Sequence, residues 1–278
     1  MANYSEVVKT SRDYYNSDDA DNFYAAIWGG EDIHIGLYNA PEGDSIYEAS
    51  RRTVTKLAEQ LNLDSNKKVL DIGSGYGGTA RYLATTFGCK VDCLNLSEVQ
   101  NQRNRELTEK SGLNAQVSVT DGSFEAIPFA DNEYDTVVSQ DAILHSGHRE
   151  QVIKEVTRVL KVGGDFAFTD PMQADDCPAG VLQPVLDRIH LETLGSIGFY
   201  QKTANSLGLD TVNTIEMTDQ LINHYSYVLR ELETRHDDML KVCDLAYIER
   251  MKVGLQHWID AGKKDYLSWG ILHFCKSA

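Results

Sequence analysis

The stretch VLDIGSGYGGTARYLA, residues 69–84, decides the fold of this 278-residue chain. An apolar run that ends at Ile72 is followed by Gly73, Gly75 and Gly78, and then by residues that favour a helix. Strand, glycine turn and helix in this order are typical of a dinucleotide-binding unit. The glycine spacing alone is a weak signal, so the interpretation depends on the segments around it.

Strand and helix patterns alternate along the chain from this turn onward. The predicted strands are 68–72, 90–94, 115–119, 134–139 and 165–169, and the predicted helices between them are 78–87, 98–110 and 149–160. Lys161, Gly163 and Gly164 are expected to end the last of these helices. The alternation predicts an α/β fold in which a doubly wound parallel sheet is covered by helices on both faces.

Two more strands are predicted at 209–216 and 266–275, which brings the sheet to seven strands. The mostly helical stretch between them predicts a helical cap, at about 220–262, inserted before the last strand. We therefore expect one domain over residues 46–278, preceded by an N-terminal lid segment at residues 1–45.

The charge balance is strongly acidic, with 42 Asp and Glu residues against 26 Lys and Arg residues and a formal net charge of −16. Such a chain repels polyanions, so we expect no nucleic acid and no membrane as partner, but a small molecule. The five cysteines are scattered without paired metal spacing, which predicts reduced thiols and no metal site. The polar start and the lack of a long apolar run predict a cytoplasmic protein, and we expect a monomer or homodimer.

Two polar residues distinguish the glycine turn from an ordinary dinucleotide site. Asp71 ends the first strand, where a dinucleotide fold usually has an apolar residue, and its carboxylate can face a cationic group. Asn95 ends the second strand, where a dehydrogenase normally has an acid for the adenosine ribose. An amide can still hydrogen-bond ribose hydroxyls. A nicotinamide dehydrogenase stays an alternative on the glycine pattern alone.

Three later segments extend the pattern: DGSFEAIPF at 121–129, DNEYDTVVSQDAILH at 131–145 and LKVGGDFAFTDP at 160–171. Together with the glycine turn and Asn95, their order and spacing resemble the class I S-adenosylmethionine-dependent methyltransferases. This resemblance implies a Rossmann-like seven-stranded methyltransferase sheet and S-adenosyl-L-methionine as the cofactor. It also implies that the glycine turn makes room for the methionine moiety and carries no phosphate.

The resemblance implies a set of cofactor-binding residues. Asp71 is expected to act on the methionine ammonium and Asn95 to hold the ribose hydroxyls, where most family members carry an acid. The other expected contacts are Gly73 and Gly75 in the turn, Leu96 against the adenine, Gln100 from the next helix, Asp121 and Gly122 at the adenine edge, and the backbone of Gln140. The alternative for Asn95 and Gln100 is that they only cap a strand and a helix.

The flanking segments narrow the resemblance. FYAAIWGGEDIHIGLY at 23–38, SQDAILHSG at 139–147, TDPMQ at 169–173 and YLSWGILHF at 266–274 resemble sarcosine/dimethylglycine N-methyltransferases. That resemblance covers nearly the whole chain and implies methyl transfer to sarcosine or N,N-dimethylglycine, with glycine betaine as the product. The alternatives are a methyltransferase of another small molecule, such as a phosphobase, and a non-catalytic S-adenosylmethionine-binding protein.

An amine acceptor must lose a proton before its nitrogen can attack a methyl group, because alkylammonium groups have a pKa near ~10. His145 is the expected catalytic residue, with Asp141 four residues earlier and on the same face if this stretch is helical. Tyr24 is expected to join them, by resemblance to the small-amine enzymes. His145 either accepts the proton or only positions the substrate.

Aromatic side chains are expected to line the acceptor site, because a growing cation is attracted to ring faces. The candidates are Trp28, Tyr24, Tyr200 and Trp269. For each of them, burial in the apolar core is the alternative.

Other substrate contacts are expected from the lid and from the edge of the sheet. His34 belongs to the lid segment, and Pro171 and Met172 follow the fifth strand, at the edge where such sheets bind substrate. For the substrate carboxylate, Arg188 and Gln173 are both candidates, and their spacing in the sequence does not decide between them.

Overall fold

Residues 6–39, 43–189 and 191–278 are described by the structure, a computed structural model. Residues 1–5 and 40–42 of the expected lid segment lie outside this description. The strands are β1 (Lys68–Ile72), β2 (Lys90–Asn95), β3 (Val117–Asp121), β4 (Tyr134–Gln140), β5 (Leu160–Thr169), β6 (Met172–Gln173), β7 (Leu209–Glu216), β8 (Leu267–Ser268) and β9 (Gly270–Lys276). Seven of them form one sheet in the order β3-β2-β1-β4-β5-β9-β7, and β6 pairs with β8.

The sheet is mixed rather than wholly parallel. The strands from β3 to β5 pair in parallel, whereas β9 runs antiparallel to both β5 and β7. The prediction of a parallel sheet is wrong at this strand. The chain leaves β7 at the carboxyl edge of the sheet and returns to the same edge through the helical cap, so β9 must run in the opposite direction.

Helices cover the sheet and its carboxyl edge. They are α1 (Glu6–Tyr15), α2 (Asp18–Ile27), α3 (Ile46–Ala58), α4 (Gly78–Phe87), α5 (Glu98–Lys110), α6 (Arg149–Val159), α7 (Gln183–Ile189), α8 (Ile197–Ser206), α9 (Thr218–Thr234), α10 (His236–Met239) and α11 (Leu245–Gly262). Local caps fix several starts: Ser17 and Ser97 accept backbone N–H bonds at α2 and α5, and Ser45 forms a capping box with Glu48 at α3. In the described part of the chain, no helix is both long and apolar enough to span a bilayer.

Most predicted elements near the glycine turn agree with the structure. The predicted strand 68–72 and the helices 78–87 and 98–110 have the observed bounds. The largest local difference follows α6, where Leu160 is already extended and begins β5. Gly163, with φ +73, lies where the register between β4 and β5 shifts. Gly163 and Gly164 therefore form an irregularity within β5 and, contrary to the prediction from the sequence pattern, do not end α6.

The core lies on both faces of the sheet and above its carboxyl edge. On β1, Leu70 and Ile72 belong to one apolar cluster and Val69 to the opposite one. A third cluster joins α1 and α2 to α9 and α11, with Phe23 and Trp258 among its buried rings. This third cluster places aromatic side chains over the edge where the strands end.

Candidate active site

Two adjoining pockets open at the carboxyl edge of the sheet, where the strand order reverses between β1 and β4. Open α/β sheets bind ligands at such switch points. The first, the glycine-turn pocket, has a volume of about 690 Å³ and includes the ends of β1, β2 and β4. The second, the aromatic chamber, has a volume of about 760 Å³ and lies under the N-terminal helices and the cap. Tyr15, Ile33, Asp141 and His145 line both.

The glycines of the turn are required by conformation and by space. Gly73 and Gly75 have φ values of +72 and +51. A Cβ on Gly73 would lie 2.3 Å from the Cβ of Ala142, and one on Gly75 would lie 3.0 Å from the Cδ1 of Ile33. The turn therefore brings bare backbone to the wall of the pocket.

Three buried polar atoms in or beside this pocket have no hydrogen-bond partner in the part of the chain that the structure describes: Gln100 Nε2 and Gln140 Nε2 in its lining, and Asp71 Oδ2 in a small cavity that shares Gly73 and Gln140 with it. Burial raises the pKa of Asp71 to about 7. Buried polar atoms in proteins are nearly always paired, so these three point to a ligand with a cationic group at Asp71 and polar atoms nearer Gln100. S-adenosylmethionine carries an ammonium, ribose hydroxyls and adenine nitrogens. The residues present fit this cofactor.

Six of the residues predicted for the cofactor lie together in this pocket: Gly73 and Gly75 of the turn, and Asn95, Leu96, Gln100 and Gln140. Asn95 at the end of β2 donates from Nδ2 to Oε1 of Gln100, at 3.1 Å, and Leu96 lies beside them. Gln140 at the end of β4 accepts a 2.6 Å hydrogen bond from Thr79. Asn95 and Gln100 thus face the pocket, and they do more than cap a strand and a helix.

The two residues predicted to contact the adenine, Asp121 and Gly122, do not line this pocket. Asp121 is half-exposed, forms an ion pair with Arg105 at 2.6 Å and is not part of the lining. Gly122 also lies outside it, and a Cβ there would meet Leu94 at 2.9 Å. Ser123 and Phe124 line the pocket instead. β3 ends at Asp121, and the chain reaches the lining of the pocket at Ser123. The adenine contact of Asp121 and Gly122 stays a prediction.

A charged corner adjoins Asp71. His34 Nε2 lies 3.7 Å from Oδ1 of Asp32, and Arg51 Nη2 lies 2.7 Å from Oδ2 of the same carboxylate. Burial opposes protonation of His34, but the neighbouring Asp32 raises its pKa overall. Asp32 and Arg51 could not be predicted as site residues, because they come from different segments that only the fold brings together.

The aromatic chamber is built mainly from the N-terminal helices and the cap. Tyr24, Trp28, His34 and Pro171, all predicted for the site, lie in its lining. The structure adds further rings that sequence reasoning missed, namely Tyr14 and Tyr15 from α1, Tyr225 from α9 and Trp258 from α11. Ring faces favour a cation in the space they enclose.

Tyr15 and His145 form the hydrogen-bonded pair at the junction of the two pockets. The Tyr15 hydroxyl lies 2.8 Å from His145 Nε2, and the two rings meet edge to face. Burial, then the positive charges of Arg149 and Arg188, lower the pKa of His145 to about 4. Burial raises the pKa of Tyr15. Near neutral pH the phenol keeps its proton, and the imidazole is uncharged and able to accept one.

The tyrosine on His145 is therefore Tyr15 and not Tyr24, the predicted partner. Tyr24 stands one layer away, with its ring centroid 5.7 Å from that of Tyr15. Tyr15 lies in the N-terminal segment, whose polar sequence contains no pattern that predicts a site residue. Its position 130 residues before His145 left no spacing from which the contact could be predicted.

Asp141 does not support His145, contrary to the prediction. Only Ile143–His145 is helical here, as a single 3-10 turn, and Asp141 has φ +50. Its carboxylate accepts hydrogen bonds from the Ile35 backbone N–H at 2.6 Å and from Trp269 Nε1 at 2.8 Å. Asp141 thus ties the N-terminal segment to the chain around β9. Trp269 is fully buried and binds this carboxylate instead of lining the chamber.

Two more residues predicted for the substrate lie in the core. Tyr200 is fully buried, packs edge to face on Phe168 and donates a 2.6 Å hydrogen bond to Asp170. Met172 is fully buried in β6, which pairs with β8. Met172 follows β5 in the chain, and Tyr200 packs against β5. Both side chains point into the apolar cluster beneath the sheet edge.

Of the two residues predicted to bind the substrate carboxylate, only one lines the aromatic chamber. Arg188 of α7 lines the aromatic chamber. Gln173 lies in β6, where it pairs with Leu267 and its backbone N–H donates to Gly195, and it is not part of the lining.

The fold and the site together define a class of protein. A seven-stranded sheet with one antiparallel strand carries a glycine turn that faces a carboxylate, next to a chamber with an uncharged histidine and tyrosine. This is a class I S-adenosylmethionine-dependent methyltransferase. A family model described as a methyltransferase domain matches residues 70–168.

Full-length relatives identify the family. The sarcosine/dimethylglycine N-methyltransferase of Aphanothece halophytica is 55% identical, over 99% of this chain and 100% of its own length. That of Halorhodospira halochloris is 54% identical, over 98% of this chain and 97% of its own. The crystal structure of a protein from Galdieria sulphuraria, described as a sarcosine dimethylglycine methyltransferase, has a TM-score of 0.91 at 46% identity and covers 95% of this chain and 99% of its own. The chain belongs to the sarcosine/dimethylglycine N-methyltransferase family.

Proposed function

We propose that this enzyme transfers methyl groups from S-adenosylmethionine to sarcosine and N,N-dimethylglycine, forming glycine betaine. The observation that carries the proposal is the position of Tyr15 and His145, which line both the glycine-turn pocket and the aromatic chamber. A group that takes a proton from the acceptor nitrogen must stand where donor and acceptor meet. The activity named for the full-length relatives supports the substrate class.

The cofactor is held by the residues of the glycine-turn pocket and by Asp71 in the small cavity beside it. Asp71 binds the ammonium, Asn95 and Gln100 hold the ribose, and the bare backbone of Gly73 and Gly75 borders the methionine moiety. When bound, S-adenosylmethionine supplies a methyl group on a positively charged sulfur. Leu96 and Phe124 provide the apolar contacts for the adenine.

The acceptor nitrogen is deprotonated by the Tyr15–His145 pair. The amine enters mostly as an ammonium ion. Its N–H bond breaks as the proton moves to the Tyr15 oxygen, while the proton of Tyr15 passes to Nε2 of His145. One N–H bond is lost on the substrate and one is formed on the imidazole, so the nitrogen gains a free electron pair and Tyr15 keeps one proton throughout. Because the pKa of His145 is lowered to about 4, the protonated imidazole is a short-lived state, and methyl transfer consumes the free amine before the proton returns.

The rest of the chamber orients the acceptor. Orientation of two reactants within one site supplies on the order of 7 kcal/mol or more of the barrier reduction. The rings of Tyr24, Trp28 and Trp258 favour the quaternary ammonium product, which cannot donate a hydrogen bond. The N-terminal segment acts as a lid, because α1 supplies Tyr15 and Asp141 fastens Ile35 beneath it. We place the enzyme in the cytoplasm, where its five free cysteines stay reduced.

The test is a methyl-transfer assay with glycine, sarcosine and N,N-dimethylglycine supplied separately and each product identified by mass. We expect betaine from N,N-dimethylglycine, and from sarcosine by way of N,N-dimethylglycine. Transfer to none of the three, with the cofactor bound, would refute the proposed substrates while leaving the methyltransferase class in place.

A further inference from the structure

The aromatic chamber contains a guanidinium group with no carboxylate partner among the described residues. Arg188 lies in α7, is partly buried and lines the chamber. Its Nη2 is 3.3 Å from the sulfur of Met251, which is only a weak acceptor. Its other electrostatic neighbours are the phenols of Tyr14, Tyr24, Tyr225 and Tyr247.

Two buried carboxylates at the sheet edge below the chamber already accept hydrogen bonds from other groups. Asp141 accepts from Ile35 and Trp269, as described above. Asp170 accepts from the hydroxyl of Tyr200 and from the backbone N–H of Leu144. Neither is available to Arg188, so the positive charge of this side chain remains to be balanced by a ligand.

Helix α11 is shaped to hold the stem of Arg188. Gly254 lies in the interior of this helix, where glycine is less favourable than alanine. A Cβ at this position would lie 1.9 Å from Cδ and 2.3 Å from Nε of Arg188. Because Gly254 has no side chain, the stem of Arg188 occupies this space. The position of the stem then fixes the direction in which the guanidinium points.

We propose that Arg188 binds the carboxylate of the acceptor amino acid, that Gly254 positions Arg188 for this contact, and that the contact selects amines that carry a carboxylate. The proposal deepens the proposed function and rests on it for the identity of the acceptor. A guanidinium can bind both oxygens of a carboxylate at once, and the surrounding uncharged rings strengthen the attraction by excluding water.

The position of the guanidinium relative to the proton acceptor agrees with a short substrate. The charge of Arg188 acts on both Tyr15 and His145. In an N-methylated glycine, one carbon separates the carboxylate from the amine. Arg188 and the Tyr15–His145 pair line the same chamber, as binding of the two ends of one small molecule requires.

The test measures binding rather than turnover. Calorimetry with the full-length enzyme saturated with S-adenosylhomocysteine compares N,N-dimethylglycine with N,N-dimethylglycinamide, in which an uncharged amide group replaces the carboxylate. Hydrogen bonds to a charged group predict that the wild-type enzyme binds the acid about 10- to 100-fold more tightly than the amide. Arg188→Gln should remove this preference. Arg250 is an exposed arginine of α11 that lies outside the chamber. The variant Arg250→Gln should therefore keep the preference for the acid.

Gly254→Ala provides a second variant that leaves the charge in place. Alanine favours the helix, so this variant should fold, but its methyl group displaces the arginine stem and should weaken binding of the acid more than binding of the amide. A wild-type enzyme without the preference, or an Arg188→Gln variant that retains it, would overturn the proposal. Methyl transfer is measured separately. If the wild-type enzyme prefers the acid over the amide but transfers no methyl group, the result would contradict the proposed function and support the role of Arg188.

Discussion

Replacing Tyr15 with phenylalanine removes one oxygen from the centre of the proposed proton path. The hydroxyl lies 2.8 Å from His145 Nε2, whereas the ring packs edge to face on the imidazole with centroids 5.4 Å apart. Tyr15→Phe therefore deletes the proton relay and keeps the packing. A positioned acid–base group contributes about 10²- to 10⁴-fold to the rate, so kcat should fall by that factor, equivalent to ~3 to 5 kcal/mol.

The assay is initial-rate methyl transfer to N,N-dimethylglycine between pH 7 and 10. If Tyr15 serves deprotonation, the defect should shrink about ten-fold per pH unit as the free amine becomes abundant, up to a pH near ~10. Stability should change little, since one hydrogen bond contributes only ~1 kcal/mol net.

Tyr24→Phe is the matched control, because it also removes one phenol oxygen from the chamber. Tyr24 interacts with Tyr15 and not directly with His145, so we expect less than about a ten-fold loss of kcat. A Tyr15→Phe enzyme with nearly wild-type kcat, a defect that does not change with pH, or a larger loss in Tyr24→Phe would each refute the assignment of the relay.

Three further predictions concern the core, the turn and the response to acid. Tyr200→Phe should leave the KM for N,N-dimethylglycine unchanged but destabilise the fold by ~1 to 3 kcal/mol in denaturant unfolding, because Asp170 loses a buried donor. Gly73→Ala should abolish cofactor binding in calorimetry and lower the melting temperature, since its Cβ would clash at φ +72. Burial is the main cause that lowers the pKa of His145 to about 4 and of His224 to about 3, so both resist protonation in the folded state. The contribution of these two histidines to stability should therefore fall from about pH 6.5 toward pH 4, so stability should change with a different slope over this range in His224→Gln, which loses less on acidification than the wild type.

Local sequence patterns determined the framework of this protein. The apolar run, the glycine turn and the helix-forming residues after it specify β1, α4 and α5 to the residue, because each of these signals is contained in a short stretch of the chain. The same patterns place Asp71 and Asn95 at the ends of adjacent strands, where parallel strands bring them to one edge. The grouping of these strand ends around the glycine turn could therefore be predicted from the sequence.

Tertiary packing decided the acceptor half. Tyr15 and Tyr24 are equivalent in sequence terms, and only the way α1 and α2 dock on the sheet gives Tyr15 the contact with His145. Arg188 enters the chamber because α11 presents a glycine opposite it, 66 positions along the chain. Such contacts join segments far apart in the sequence, and spacing carries no information about them. The chamber that distinguishes one acceptor from another is formed only when the N-terminal helices and the cap close over the sheet.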